Sequence, residues 1–239
     1  MFHLLHFKNL PIFEQLQIEE ALLRVDDEHN WCIVNEGSPE AIVMGISGKA
    51  GQLLEVEQIQ IPVIKRYSGG GTVVVDENTL FVSLICKTAL HLAKPFPEPI
   101  MRWSETLYKP VICHPDFALR ENDYVIGNFK CGGNAQYIRK NRWVHHTTFL
   151  WDYKEKNMAL LKNPNKAPTY RAGRDHTDFI CRLKDHMPSK DIFIERLKNE
   201  LRTLYGLANG EPSLIQRLLD HSHRKATRYI DVRAQLNSL

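Results

Sequence analysis

The sequence predicts an α/β (α+β) protein with mixed β-sheets flanked by helices. Three observations carry this reading: apolar residues at helical spacing near the start and in the last third, short β-rich runs between turn residues through the middle, and no repeat, linker or low-complexity tract. At 239 residues the chain is long enough to bury a core, and one domain over residues 1–239 is expected.

In chain order, residues 12–23 place Phe13, Leu16, Glu20 and Leu23 at helical spacing, with Pro11 near the first turn. Strands follow at residues 31–34 and 41–44, separated by the turn-like Asn35-Glu36-Gly37-Ser38-Pro39, and then at 63–64, 73–75 and 80–85. After the breaker-rich Pro95-Phe96-Pro97-Glu98-Pro99, residues 101–108 read as a helix. Residues 124–126, 135–139 and 143–150 read as strands around Gly and Asn turns. Residues 191–205 carry Ile192, Ile194, Leu197, Leu201 and Leu204 in a helical pattern, and 213–221 offers another helix.

Bulk properties exclude more than they select. Hydrophobic residues at 43% and charged residues at 25% are ordinary globular values, and a formal charge of +3 is too small to imply a nucleic-acid partner. No apolar run approaches the roughly 20 residues that span a bilayer, so no membrane association is expected. Residues 1–8 lack the apolar core of a secretion signal. A cytoplasmic location follows, or an organelle matrix if a transit peptide is removed. Cys32, Cys86, Cys113, Cys131 and Cys181 are scattered and form no Cys-x-x-Cys pair, which argues for reduced thiols and against a structural metal site.

Two segments carry chemistry. In Lys65-Arg66-Tyr67-Ser68-Gly69-Gly70-Gly71-Thr72, three consecutive glycines cost chain entropy and offer nothing to pack, so a ligand or another backbone should come close. Exposed N–H groups beside Lys65 or Arg66 suit a phosphate or carboxylate, while a hairpin turn or bulge with a basic edge is the plainer alternative. The Gly-Lys-Ser/Thr ending of a P-loop is absent, and so is Gly-x-Gly-x-x-Gly. In Gly127-Asn128-Phe129-Lys130-Cys131-Gly132-Gly133-Asn134-Ala135, one lysine sits among small and apolar neighbours. Lys130 is either a preorganised charge for an oxyanion or a solvated lysine of a hairpin turn.

Together these segments resemble the lipoate-protein ligase A family, within the wider biotin and lipoate ligase fold. The family pattern Arg-Arg-x-Ser-Gly-Gly-Gly-(Ala/Thr)-Val falls on residues 65–73, and Asn-Asp-Leu with Gly-x-Lys-x-Ser/Gly-Gly-Asn/Ser-Ala falls on residues 122–135. His-His-Gly-Thr falls on His145-His146-Thr147-Thr148, and Glu19-Glu20-Ala21-Leu22-Leu23 matches the early helix. The similarity covers roughly residues 10–205.

The resemblance implies a biotin/lipoate ligase-like catalytic domain that uses ATP and lipoate, with Mg²⁺, to form lipoyl-AMP. It then transfers the acyl group to a lysine of apo lipoyl domains of 2-oxoacid dehydrogenases or of the glycine-cleavage H protein. By the same resemblance Arg66, Ser68, Gly69, Gly70, Gly71, Thr72, Val73 and Val74 cradle the adenylate, and Lys130 contacts the lipoyl carboxyl and the phosphate. Asp123, Gly133, Asn134, Ala135, His146 and Thr148 complete the site.

Lys65 departs from the pattern by replacing the first arginine, which loses a bidentate fork. Val75 stands in place of a histidine before Asp76, Asn78-Thr79 in place of Gly-Asn, and Thr147 in place of glycine. Many members carry an additional C-terminal accessory domain, whereas 34 residues follow Tyr205 here. That domain is therefore expected to be absent. A separate accessory subunit, preformed lipoyl-AMP or a shorter self-sufficient enzyme would each answer the difference.

Residues 166–183, with Thr177 and Arg182, loosely resemble the loop that closes over the adenylate. Two rival functions remain: a cysteine-dependent octanoyl or lipoyl transferase with Cys113, 17 positions before Lys130, as nucleophile, and a module that binds an acyl-adenylate or carrier without catalysis. His145 and His146 are adjacent on a strand, so at most one faces a pocket and they make no metal pair. Arg139-Lys140-Asn141-Arg142 and His223-Arg224-Lys225 read as solvated faces, or as a surface for an acidic lipoyl domain.

Overall fold

The computed structural model describes residues 1–163 and 167–236. The chain opens with β1 (Phe2–Lys8), α1 (Ile12–Val25), β2 (Asn30–Glu36), β3 (Ala41–Met44) and the short α2 (Ala50–Leu53). Strands β4 (Val63–Lys65), β5 (Val73–Val75) and β6 (Leu80–Lys87) lead to α3 (Pro97–Ile112). Strands β7 (Phe117–Arg120), β8 (Asp123–Ile126), β9 (Phe129–Ile138) and β10 (Arg142–Phe149) follow, then short helices α4 (Glu155–Met158) and α5 (His176–Phe179). The last elements are α6 (Lys190–Tyr205), β11 (Leu207–Asn209), α7 (Pro212–Asp220), β12 (Arg228–Tyr229) and α8 (Val232–Leu236).

The strands divide between two sheets. A large one has the order β11-β1-β2-β6-β10-β9-β8-β7 and a small one the order β12-β4-β3-β5. Both are mixed: β1 runs parallel to β2 and to β11, β3 runs parallel to β4, and the remaining pairs are antiparallel.

Period-two alternation sets the layering. On β6, Leu80, Val82, Leu84 and Cys86 pack toward α3 and α6, with Tyr108, Phe149, Phe193 and Leu197 in the same cluster. Phe81 and Ile85 face the opposite way, into a cluster with Leu16 and Leu22 of α1 and with Val43, Ile64 and Val75 of the small sheet. Because β2 and β6 are covered on both faces, they read as continuous apolar runs rather than alternating ones. The small sheet's other face buries Ile42, Leu54, Val63 and Val232.

Several elements are longer than the sequence suggests. Helix α3 begins at Pro97 rather than residue 101 because Pro at the first helical positions needs no donor there, and it continues through Pro110 into its last turn. Strand β9 begins at Phe129, not residue 135, so Lys130 lies on a strand and the hairpin turn is at Gly127-Asn128. Gly127 takes φ +60 there. Strand β1 went unread because its apolar residues do not alternate cleanly; it is flanked by parallel neighbours on both sides. Arg142, expected on a solvated face, is 1% exposed and donates from Nη2 to the His29 carbonyl at 2.7 Å. Its neighbour Arg139 is exposed but caps α1 by donating to the Leu23 carbonyl at 2.9 Å.

Candidate active site

Between α1, the centre of the large sheet, the glycine loop and residues 167–180 lies a cavity of about 670 Å³. Its central feature is a β-bulge. Val125 pairs with Lys130 and Tyr124 pairs with Gly132, leaving Cys131 as an extra residue on β9. Residues three apart on a regular strand face opposite ways, but the inserted Cys131 restores Lys130 to the face of Gly133. The Lys130 side chain lies across that glycine, where an added Cβ would stand 3.2 Å from Nζ.

Lys130 Nζ pairs with Asp123 Oδ1 at 2.8 Å. Asp123 Oδ2 accepts from the Tyr170 hydroxyl at 2.9 Å, so the carboxylate is fixed on both oxygens. Burial and the Asp123 charge push the Tyr170 hydroxyl well up, which keeps it a donor. Cys131 is buried against the Tyr124 carbonyl, and burial raises its thiol well above the usual range. Cys131 therefore packs as an inert core residue.

The glycine loop is held from behind. Arg66 is buried and donates through Nε and Nη2 to the Gly69 carbonyl at 3.1 and 2.6 Å, through Nη2 to Gly71 at 2.9 Å and through Nε to Ser68 Oγ at 3.1 Å. Burial brings the guanidinium down to about 10. With Nη1 also donating to the Val43 carbonyl of β3 at 3.4 Å, Arg66 ties the loop to the small sheet and shapes the cradle. Only one of the three glycines is required by packing: Gly70 has φ +95 and an added Cβ would meet Arg66 Nη2 at 2.8 Å, whereas Gly69 and Gly71 face open space. Gly45 allows the loop to approach, since a Cβ there would overlap the Gly70 carbonyl oxygen. Nothing in the local sequence marks Gly45 out from an ordinary turn glycine.

Of the residues expected in the site, Lys130, Arg66, Gly70, Gly71, Thr72, Val73, Val74, Asp123, Gly133, Asn134, Ala135, His146 and Thr148 line the cavity. Ser68 and Gly69 do not line it and act through Arg66. Asn134 turns its side chain toward the α3 face, accepting from Thr147 Oγ1 at 3.0 Å and donating to the Asn122 carbonyl at 3.1 Å. Lys65 is outside the lining, while Val75 contributes apolar wall.

The two histidines part as strand alternation requires. His145 is fully buried among Ser104, Tyr124, Gln136 and Thr147, and burial, with the His146 charge, lowers it to about 3. His146 faces the cavity, with Nδ1 at 2.7 Å from Glu19 Oε2. Glu19 is fully buried and also accepts from Gln15 and Ser83. Burial raises its carboxyl, but the His146 charge and the hydrogen bonds from His146, Ser83 and Gln15 outweigh that, and the group sits below its usual value. In the sequence, Glu19 stood out only as part of a helix motif.

Residues 167–180 close one side with Arg171, His176, Phe179 and Ile180, and Lys162 and Glu121 join them in the lining. Arg171 is buried, donating to the Arg174 carbonyl and to Asn163 Oδ1, both at 2.7 Å, and burial lowers it. The polar end of the cavity thus gathers Lys130, Lys162 and Arg171. Arg182 instead makes ion pairs with Asp152 and Glu155 outside the lining. Lys166, in the same expected loop, lies outside the described residues.

Cys113 is placed elsewhere. It is exposed, caps the C-terminus of α3 with φ 55 and does not line the cavity. Among the described residues no group of three or more His, Cys, Asp or Glu side chains is arranged to hold a metal. The donor set therefore does not fit a protein-built magnesium cage.

Comparisons place this geometry. The model of the lipoyl protein ligase A/B catalytic domain matches residues 11–204. The chain is 29% identical over 265 residues to inactive lipoate–protein ligase 2 of Plasmodium falciparum, covering 83% of this chain and 68% of that one. Lipoate-protein ligase A bound with ATP superposes with TM-score 0.66 at 18% identity, over 92% of this chain and 93% of that one. A bipartite lipoate protein ligase from Thermoplasma acidophilum, studied with its E2 lipoyl domain, gives TM-score 0.64 at 18% identity, over 92% and 91%. The chain spans 42% to 68% of the length of the curated relatives it matches. With the family model covering most of its length and the sheets and helices superposing on those of lipoate ligases, the chain belongs to the lipoyl protein ligase A/B catalytic domain family.

Proposed function

We propose that this chain attaches lipoate to a lysine of apo lipoyl domains by way of lipoyl-AMP. The observation that carries the reading is Lys130, fixed by Asp123 across Gly133 in a cavity with cations at one end and apolar walls at the other. The structurally similar ligase bound with ATP and the bipartite ligase with its E2 lipoyl domain supply the nucleotide and the acceptor class.

In the first step a lipoate carboxylate oxygen bonds to the α-phosphorus of ATP and the bond to pyrophosphate breaks. The Lys130 ammonium offsets the negative charge as carboxylate and phosphate approach each other, and the open backbone at Gly71, in the cavity lining, receives the phosphate side. In the second step the acceptor lysine, as the neutral amine, attacks the acyl carbon. AMP leaves and the nitrogen loses a proton to solvent. Lys130 is placed to stabilise the oxyanion formed on the way. Magnesium, which accompanies ATP in such reactions, would take its ligands from the phosphates.

The test gives purified protein an apo lipoyl domain with, separately, lipoate and ATP, lipoyl-AMP, and octanoyl carrier protein. Product from the first two supports the ligase. Product from lipoyl-AMP alone identifies a transferase that needs a separate activating subunit. Product from the carrier alone, abolished by Cys113→Ser, overturns the reading. A chain silent with every donor is a binding module, a result that the name of the Plasmodium falciparum relative makes worth measuring first.

A further inference from the structure

The cavity opens over three consecutive residues of β9. Gly70, Pro97 and Asn122 are lining residues that are exposed at its mouth. Gly70 comes up against Ala135 and the Asn134 carbonyl, the Asn122 carbonyl accepts from Asn134 Nδ2 at 3.1 Å, and the Pro97 carbonyl accepts from Gln136 Nε2 at 3.2 Å. An acceptor lysine entering here has a side chain only about 6 Å long, so the domain that carries it must settle on this rim. A standard interface takes about 800 Å² from each partner, a disc of about 16 Å radius.

On the α3 side that disc takes in an aromatic ring turned to solvent. Phe96, next to Pro97, is 63% exposed. Its backbone is engaged, the N–H donating to the Lys94 carbonyl at 2.8 Å and the carbonyl accepting from the Ile100 N–H at 3.2 Å, so the residue that caps α3 is held in place. Exposed lysines flank it. Lys94 lies on the same turn, and Lys140 stands at the β9–β10 turn, four residues or about 13 Å beyond Gln136. The two segments are joined where the Thr88 N–H donates to the Asn141 carbonyl at 2.8 Å. Acids at the rim are engaged: Glu98 pairs with Arg102 at 4.0 Å and Glu121 accepts from the Tyr170 N–H at 3.2 Å.

We propose that Phe96, with Lys94 and Lys140 beside it, is the docking surface for the acceptor domain, the ring seating in an apolar spot on a partner whose facing surface is acidic. The inference rests on the lipoyl-domain reading above. An aromatic side chain well inside such a disc is desolvated on docking and anchors it, whereas lysines toward the rim speed the encounter and lose their effect as salt screens them. None of the three residues lines the cavity. Altering them therefore changes how the acceptor is held and leaves the reacting groups in place.

The experiment measures binding of an apo lipoyl domain by titration calorimetry, and its modification from preformed lipoyl-AMP, for wild type, Phe96→Ser, Phe96→Tyr and a variant carrying both Lys94→Glu and Lys140→Glu. Serine is a favoured helix cap, so Phe96→Ser removes the ring without loosening α3. In that variant Kd and KM for the lipoyl domain should rise about tenfold with kcat within about twofold, and Phe96→Tyr should stay near wild type. The double lysine variant should raise both about fivefold at low salt and approach wild type at about 0.5 M. Unchanged Kd and KM in Phe96→Ser overturn the docking surface, and wild-type transfer then leaves the lipoylation reading standing. A wild-type dimer in sedimentation that Phe96→Ser dissolves gives the ring to a second copy of the chain and overturns it too. Where wild type binds without transferring, the Kd values decide. Neither binding nor transfer by wild type overturns the lipoyl-domain reading itself.

Discussion

Lys130 and Gly133 lie on one face of β9 although three positions apart, because Cys131 is looped out between them. The lysine can therefore lie flat along the strand and reach Asp123 at 2.8 Å. Lys130→Ala removes the charge and little else, since the side chain packs over glycine. We expect acyl transfer to fall at least about 100-fold, with the thermal midpoint nearly unchanged. Asp123→Asn should cost about tenfold, because it frees the lysine without removing it. Wild-type turnover by Lys130→Ala would remove this residue from the chemistry.

The glycine loop separates packing from ligand access. Gly45→Ala forces a methyl onto the Gly70 carbonyl, and we expect about 1–3 kcal/mol of destabilisation with weakened nucleotide binding. Gly71→Ala meets nothing, so stability should hold while ATP affinity falls about tenfold because the added methyl intrudes on the cavity lining. Denaturant unfolding and nucleotide titration of both variants distinguish the two effects.

His145 makes the fold sensitive to acid. Its folded value of about 3 lies below the ordinary histidine value of 6.5, so the unfolded chain binds the extra proton between the two. Stability from the neutral imidazole is complete above the unfolded value and is lost as pH falls from about 6.5 toward 3. Between pH 7 and pH 5 this group should cost wild type about 2 kcal/mol. Unfolding of His145→Gln over the same range should lack that part of the slope.

Cys113 holds a left-handed backbone at the cap of α3, with φ 55 and ψ 45. Glycine removes that strain, so Cys113→Gly should stabilise the protein by about 1 kcal/mol in urea unfolding. Transfer activity should stay within about twofold of wild type. A complete loss of transfer would restore the cysteine mechanism.

Legibility in the sequence followed the physical range of each signal. Helix α1 and strands β3 and β5 were readable because their spacing or apolar runs are local. Lys130 and the glycine loop were readable because odd local chemistry marks them. The bulge was not, since whether Cys131 pairs depends on the register of β8. Gly45 looks like any turn glycine until Gly70 arrives from a different strand connection. Arg66 illustrates the same limit: its charge was visible, but its use as a scaffold for the loop depended on carbonyls that only the fold brings round it.

Strand β1 sits between β2 and β11, so residue 2 pairs with residues 30 and 207 at once. Closing a contact of that sequence separation carries a large loop-closure cost. On a ribosome, β1 can gain β2 as a neighbour early but must wait until residue 207 has emerged before it gains the other. Until then one margin of the large sheet is bare, and that margin is where chaperone contact or mispairing would be concentrated during synthesis.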